Sequence, residues 1–254
     1  GEEPTKADKS DRTDLRKLIS FTIDGDDSRD YDDAISVMKT GEGYKLYVHI
    51  ADVSHYVKFG GEIDKEAFDR GTSVYLPDRV IPMLPEKLSN GLCSLNEEVD
   101  RLAVTALLVY DNNGILIDKS FYKSIIRSNA RLTYRQVQAF FNGDEQAKKQ
   151  LKKVGKELKI ARELKNKLLE NADKKGFVDL ESNDTKISLK NGEITVEARE
   201  RMESEEVIER FMIAANVAVA EYINYLDLPF VYRVHEKPSA EKIAALSEFL
   251  NGLG

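Results

Sequence analysis

Ile19, Phe21 and Ile23 alternate with Ser20, Thr22 and Asp24, which predicts a strand over Leu18–Asp24 that ends at an aspartate. Ala34–Met38 and Tyr44–Ile50 are strand-like, and Thr40-Gly41-Glu42-Gly43 between them has a turn composition, so this pair predicts a hairpin. Leu102–Tyr110 and Ile115–Ile126 read as a second pair of strands. Asp111-Asn112-Asn113-Gly114 joins them, and Asn-Gly supplies the positive φ angles that tight hairpins need. Between the two pairs, Pro77, Pro82 and Pro85 punctuate a stretch through which no continuous helix or central strand can run.

From about residue 133 the period changes. Leu151, Val154, Leu158, Ala161, Leu164 and Leu168 recur every three or four positions, the stripe of an amphipathic helix whose other faces carry lysines. A second helix, about Glu203–Leu226, places Val207, Phe211, Ala215, Val219 and Tyr222 on one side. A short hairpin is expected around Lys186–Glu197, and a helix from Ser239 onward. Strands early and helices late predict an α+β (mixed α/β) fold with a largely antiparallel sheet and packed helices.

Composition narrows the function classes. With 254 residues, 41% hydrophobic and 33% charged, the chain has the make-up of a globular protein with one core or two small ones, not of a disordered or low-complexity chain. No apolar run approaches the ~20 residues of a membrane span, and the polar start has no apolar signal core, so no membrane partner is expected. Cys93 stands alone, and His49, His55 and His235 lack metal-ligand spacing, which argues against zinc. The net charge of −7 argues against a nucleic-acid binder that uses its whole surface. The distribution changes that picture: residues 119–175 carry 16 Lys/Arg against 6 Asp/Glu, whereas Asp24 to Asp33 holds six aspartates against Arg29 alone.

Asp24, Asp30, Asp32 and Asp33 flank a predicted strand-loop-strand corner, entered through the small Gly25. Two carboxylates about 4 Å apart repel by roughly 4 kcal/mol at an effective dielectric near 20, so such a group needs solvent, arginines, raised pKa values or bound cations. A calcium loop does not fit, because Arg29 stands where that loop needs Gly and Ile35 where it needs Glu. Two readings of the loop remain open on spacing alone, a solvated acidic turn and a hard-cation site. Mg²⁺ or Mn²⁺ held by carboxylates would suit the second, since such ions activate water and stabilise the leaving oxygen of a phosphodiester.

Thr22-Ile23-Asp24-Gly-Asp-Asp-Ser-Arg-Asp30-Tyr-Asp32-Asp33-Ala34 resembles the active-site segment of the ribonuclease II/R (RNB) family. The resemblance continues through Ile50–Val57, Arg70–Pro77, Ile81–Leu95, Arg131-Leu-Thr-Tyr134, Glu209–Asn216 and Arg233–Pro238, and so spans about residues 11–254. It implies a hydrolytic, processive 3′-to-5′ exoribonuclease that acts on single-stranded RNA, releases nucleoside 5′-monophosphates and uses Mg²⁺, with Mn²⁺ as a substitute. It also implies a cytoplasmic enzyme, monomeric at full length. By position, Asp24, Asp30, Asp32 and Asp33 would be the metal-centre aspartates. Asp33→Asn should most cleanly abolish hydrolysis. Tyr75 would stack near the last nucleotide, and Tyr134 and Glu209 would hold the terminal nucleotides and help select ribose.

Each residue also has a plainer reading. Tyr75 can pack under a loop, Tyr134 can be ordinary surface, and Glu209 with Asn216 can be a solvated helix face. His235 reads most simply as structural, Asp52 as a capping or corner residue and Cys93 as buried packing. The lysines of 148–175 are more simply a solvated face than a phosphate grip.

The sequence departs from the family's pattern. The downstream Ser-Pro-Ile-Arg-Arg segment, which the resemblance assigns to the scissile phosphate, does not occur up to Gly254, and cold-shock-like and S1 domains are absent. The expectation is therefore an N-terminal portion of one RNB catalytic domain over 1–254, with 1–17 as a lead-in, weak or inactive alone. At Val178-Asp179-Leu180 an aliphatic residue stands where many relatives carry an aromatic. Two alternatives remain: a catalytically silent RNA-binding or regulatory relative, and a plain divalent-cation binder.

Overall fold

A computed structural model of the chain describes residues 4–76, 79–174, 176, 184–190, 193–199, 201–232 and 234–253. Pro77, Val178–Leu180 and Arg233, named above, lie outside the described residues. The chain divides into two units, 1–218 and 219–254.

The first unit is built on a sheet that has seven strands among the described residues: β1 (Thr13–Asp14), β2 (Phe21–Asp24), β3 (Asp33–Thr40), β4 (Gly43–Ala51), β7 (Asp100–Asp111), β8 (Leu116–Arg127) and β9 (Ala130–Thr133). Their order is β1-β8-β7-β4-β3-β2-β9. The five inner strands pair antiparallel as expected, while the edge pairs β1/β8 and β2/β9 are parallel. Both predicted hairpins form. The first needs glycine at its turn, because a Cβ on Gly43 would sit 2.0 Å from the Tyr110 carbonyl oxygen. In the second, Asp111 accepts from the Asn113 and Ile115 backbone N–H groups, and Gly114 has φ +76°.

Hydrophobic alternation sorts the sheet's two faces. Phe21, Ile23, Ile35, Val37, Leu46, Val48 and Leu108 bury one face beneath α4 (Tyr134–Phe141), α5 (Glu145–Gln150), α6 (Gly155–Lys174) and the start of α7 (Glu203–Tyr225). On the other face Tyr31, Ala34, Ala51, Cys93, Leu95, Ala103 and Ile126 form a smaller cluster, with Cys93 buried as expected. A buried polar chain runs across this second face: Ser36 Oγ to His49 Nε2 (3.1 Å), His49 Nδ1 to Thr105 Oγ1 (2.8 Å), and Thr105 Oγ1 to Ser124 Oγ (2.6 Å). Burial pushes the His49 pKa down to about 3, so the ring is a neutral bridge.

The lead-in is not a loose tail. It carries the short helix α1 (Lys6–Lys9) and edge strand β1. Arg12 closes on the buried Asp52 at 2.5 Å, while Lys9, Arg16 and Arg127 surround the buried Asp100. Asp52 precedes α2 (Val53–Tyr56) without a side-chain cap, so it fixes the corner through Arg12 and Ser54. Among the described residues of 59–92 none is fully buried, and Leu88 packs against the smaller cluster. Helix α3 (Glu62–Arg70) buries no residue, β5 (Val74–Tyr75) and β6 (Val80–Ile81) pair only with each other, and a π-helical turn follows at Lys87–Leu92. The expected absence of a continuous element around the prolines holds, with a two-stranded ribbon within it.

Four expectations need correction. Strand β2 begins at Phe21, leaving Ile19 39% exposed, because Ser20 bonds to Asn129 instead of to a neighbouring strand. Leu151 and Val154 belong to the turn between α5 and α6, and both are buried there, so an i,i+3 apolar spacing survived a break in the helix. Lys165 leaves the solvated face: it is buried, bonded to Glu203 and Glu206 at 3.1 and 3.2 Å. On α7, Val207, Phe211 and Ala215 are buried but Tyr222 is 39% exposed.

The predicted hairpin near 186–197 forms as β10 (Asp184–Lys190) and β11 (Glu193–Arg199). The second unit contains the end of α7 and α8 (Ala240–Leu253), with the Phe230 and Tyr232 rings packed edge to face at 5.4 Å. Among the described residues no helix is long and apolar enough to cross a membrane.

Candidate active site

The aspartates gather at one end of the large sheet. Asp24 ends β2, Asp33 begins the antiparallel β3, and the Asp32 carbonyl accepts from Ala51 N–H at 2.9 Å, where β4 ends. Asp24 pairs in register with Thr133, whose hydroxyl caps α4 in a reciprocal capping box with Gln136. Tyr134 therefore starts its helix beside the strand that delivers Asp24. The start of α7 is tied to the same corner by Ser204 Oγ, which donates to the Tyr134 carbonyl at 2.8 Å.

The loop between Asp24 and Asp33 exposes Gly25, Asp26, Asp27, Arg29 and Asp32 to solvent but is anchored from within. Tyr31 is buried beneath it, its hydroxyl donating to the Ser28 carbonyl at 2.6 Å. Ser94 and Leu95 fasten the loop from below: Ser94 Oγ accepts from Tyr31 N–H and donates to the Arg29 carbonyl, and Leu95 N–H donates to the Tyr31 carbonyl at 2.8 Å. The Arg131 guanidinium lies over the Tyr31 ring at 5.2 Å. Arg135 pairs with Asp26 at 3.1 Å.

Burial, reinforced by Asp33, Asp30 and Asp32, raises the Asp24 pKa to about 7. Burial, with Asp32 beside it, raises Asp33 to about 6, and burial also raises Asp32. Asp24 Oδ2 and Asp33 Oδ2 are buried without a hydrogen-bond partner. Two acceptor oxygens withheld from water and from every donor are what an unsatisfied cation site leaves behind. The donor set, all hard carboxylate oxygen, fits Mg²⁺ or Mn²⁺. Among the described residues no three acidic, histidine or cysteine side chains form a group that could hold a metal ion unaided. Mg²⁺ does not require such a cage, since it commonly keeps several waters and takes one or two carboxylates together with substrate phosphates.

Tyr75 is not packed under a loop. It is 69% exposed on the β5–β6 ribbon, and its hydroxyl faces Asp30 Oδ2 across a long 3.5 Å contact. The charge on Asp30, with some burial, holds the phenol above its ordinary pKa. The four aspartates and Tyr75 thus share one neighbourhood, and Tyr134 adjoins it through Thr133. Glu209 is exposed on α7 and ion-paired to Arg201 at 2.6 Å. Its described partner lies outside the aspartate group, as does that of His235, which is exposed and contacts the Glu236 carbonyl. Ser94, Tyr31 and Arg131 hold the loop, a role that spacing along the chain did not reveal.

A family model described as the RNB domain matches residues 12–253. The chain belongs to this family. Ribonuclease R of Mycoplasmopsis pulmonis is 47% identical over 250 residues, covering 97% of this chain and 34% of that protein. Ribonuclease R of Thermotoga maritima is 46% identical over 253 residues, covering 98% of this chain and 36% of the relative. The solved structure of Mycoplasma genitalium RNase R in complex with ribose methylated single-stranded RNA superposes with a TM-score of 0.92 at 34% identity, covering 100% of this chain and 40% of that one. The RNB chain described here spans about a third of the length of the curated relatives it matches. Its mixed sheet-and-helix architecture is that of this RNase R structure.

Proposed function

We propose that the chain carries the aspartate centre of a 3′-to-5′ exoribonuclease that acts on single-stranded RNA and releases nucleoside 5′-monophosphates. The observation that carries this reading is the pair of buried, partnerless carboxylate oxygens on Asp24 and Asp33, set at one sheet end below an exposed tyrosine. Similarity to proteins named Ribonuclease R, one of them solved with a ribose methylated single strand, supports RNA as the substrate class.

Asp24, Asp30, Asp32 and Asp33 would hold Mg²⁺, with Mn²⁺ as an alternative. When bound, the metal supplies charge neutralisation at the phosphate and a more acidic water. The protein's own groups do the rest. Asp24, whose carboxyl is pushed up to about 7 by burial and by its acidic neighbours when no cation is bound, would give up its proton as the metal binds. Tyr75 offers an exposed ring to a terminal base, which holds a strand without reading its sequence. Tyr134 and Glu209 would contact the terminal sugars, with Glu209 leaving Arg201 for a ribose 2′-hydroxyl. We place the enzyme in the cytoplasm as a monomer.

The test is 5′-labelled single-stranded RNA with Mg²⁺, incubated with the chain extended to the length of its relatives and with Asp33→Asn in that same extended protein. Shortening from the 3′ end that vanishes in the variant supports the proposal. One observation favours the second reading, a catalytically silent RNA-binding relative: no three carboxylates close on a single point among the described residues. RNA bound equally by both proteins and shortened by neither would establish that reading instead.

A further inference from the structure

Cross-strand register places Asp33, Ile50, Val104 and Lys123 in one row on the helix-bearing face of the sheet. Three inter-strand steps of ~4.8 Å put the row's ends about 14 Å apart. The rows on either side are covered. Ile35, Val48 and Ala106 are buried under the helices, and Leu102 and Ile125 are buried on the opposite flank. Within the row itself, Val104 is 40% exposed, Ile50 is half-buried and Lys123 is exposed. Burial therefore falls along one row and returns on both sides of it. This is a trough one residue wide, with flanks about 13 Å apart at 3.3 Å per residue along the strands.

The trough has a chemical direction. It starts at the aspartate centre, runs over two aliphatic side chains and ends at a cation whose charge reaches no described carboxylate except the buried Asp52, already closed by Arg12. Its floor is stiffened from beneath, because His49 and Thr105 of the buried polar chain stand back to back with Ile50 and Val104. An aliphatic floor suits the sugar and base of an extended strand, and an exposed lysine suits a phosphate.

We propose that Ile50, Val104 and Lys123 form a track for single-stranded RNA leading into the aspartate centre, with Lys123 on a backbone phosphate. The inference rests on the exoribonuclease reading above and extends it to residues outside the aspartate group.

The test measures binding of fluorescent oligo(U) and oligo(A) by the chain in metal-free buffer at several KCl concentrations. Parent, Lys123→Ala and Lys149→Ala are compared, Lys149 being an exposed lysine on α5. Loss of one phosphate contact lowers the slope of log affinity against log salt by about 0.7 for a single strand. Lys123→Ala should show that fall on both oligonucleotides, and Lys149→Ala should keep the parent slope. An unchanged slope for Lys123→Ala, or an equal fall in both variants, overturns the track. If the parent shortens RNA with Mg²⁺ while Lys123→Ala keeps the parent slope, the track alone fails. If the chain extended to the length of its relatives neither binds nor shortens RNA, the exoribonuclease reading fails and takes the track with it.

Discussion

Ser94 holds Tyr31 in place through a two-way bond: its hydroxyl accepts from the Tyr31 N–H at 3.1 Å and donates to the Arg29 carbonyl at 3.1 Å. Ser94 and Tyr31 are both buried, so the Tyr31 N–H has no water as a substitute partner. The aspartates on both sides of Tyr31 take their positions from this attachment. Ser94→Ala should lower stability by about 1–3 kcal/mol, the usual effect of stranding a buried polar group. Urea unfolding checks the stability loss. RNA shortening checks the second expectation, that activity falls in molecules that are still folded.

The raised carboxyl groups make stability depend on pH and on metal. Unfolded, Asp24 and Asp33 titrate near 3.8; folded, they titrate near 7 and 6. Between about pH 4 and pH 7 the folded state therefore binds more protons, and stability from this source falls as pH rises. His49 acts in the opposite sense. Its folded pKa is near 3 against 6.5 unfolded, so its contribution rises with pH over that window. The difference between parent and Asp33→Asn carries the Asp33 part together with what the Asp33 charge adds to Asp24. In metal-free buffer the variant should gain on the parent by up to roughly 3 kcal/mol between pH 4 and pH 8. Mg²⁺ should restabilise the parent at pH 8 and do little at pH 5. Denaturant midpoints across pH, with and without Mg²⁺, would refute this if the two proteins ran parallel.

The hairpins were legible because they rest on local rules: alternating apolar residues, and Gly or Asn-Gly where the turn geometry demands it. The aspartate group was legible as an anomaly of charge, but the partial burial of Asp24, Asp30 and Asp33 was not. Burial comes from Tyr31, Ser94 and Leu95, and the last two lie more than sixty residues from the loop that they fasten. Leu151 and Val154 show the opposite failure. Their spacing continues the α6 stripe, yet the backbone turns there, because core contacts fix apolar spacing on either side of a break. Nothing in the residues around Lys165 marks it as buried, since its partners Glu203 and Glu206 belong to another helix. Tyr75 was recognisable by its resemblance to a family position, whereas its exposure depends on a ribbon that the prolines hide.

Lys165 links α6 to the start of α7, the helix that also carries Glu209. Removing it leaves Glu203 and Glu206 with less compensation in a half-buried setting, although Arg162 still holds Glu203 at 2.6 Å. Lys165→Ala should destabilise the chain by about 1–3 kcal/mol, below the range for a fully buried pair because both glutamates stay partly solvated and Glu203 keeps Arg162. Lys165→Met together with Glu206→Gln should recover much of that loss, since the apolar stem is kept and one stranded charge is removed. Thermal or urea unfolding of the two variants distinguishes the ion pair from simple packing.

Tyr75 can act through its ring, through its hydroxyl, or through both. The ring is exposed for stacking, and the hydroxyl reaches Asp30 only across 3.5 Å, at the outer limit of a hydrogen bond. Stacking contributes about 1–3 kcal/mol per base, so Tyr75→Ala should weaken binding of a short single strand by roughly five- to more than one hundred-fold. Tyr75→Phe keeps the ring and should bind nearly as the parent does. If the Asp30 contact were the important one, Tyr75→Phe would behave like Tyr75→Ala, and Asp30→Asn would match both. Because the side chain is largely exposed, neither Tyr75 variant should change the unfolding midpoint appreciably. A large drop there would show that the tyrosine supports the ribbon instead of meeting RNA.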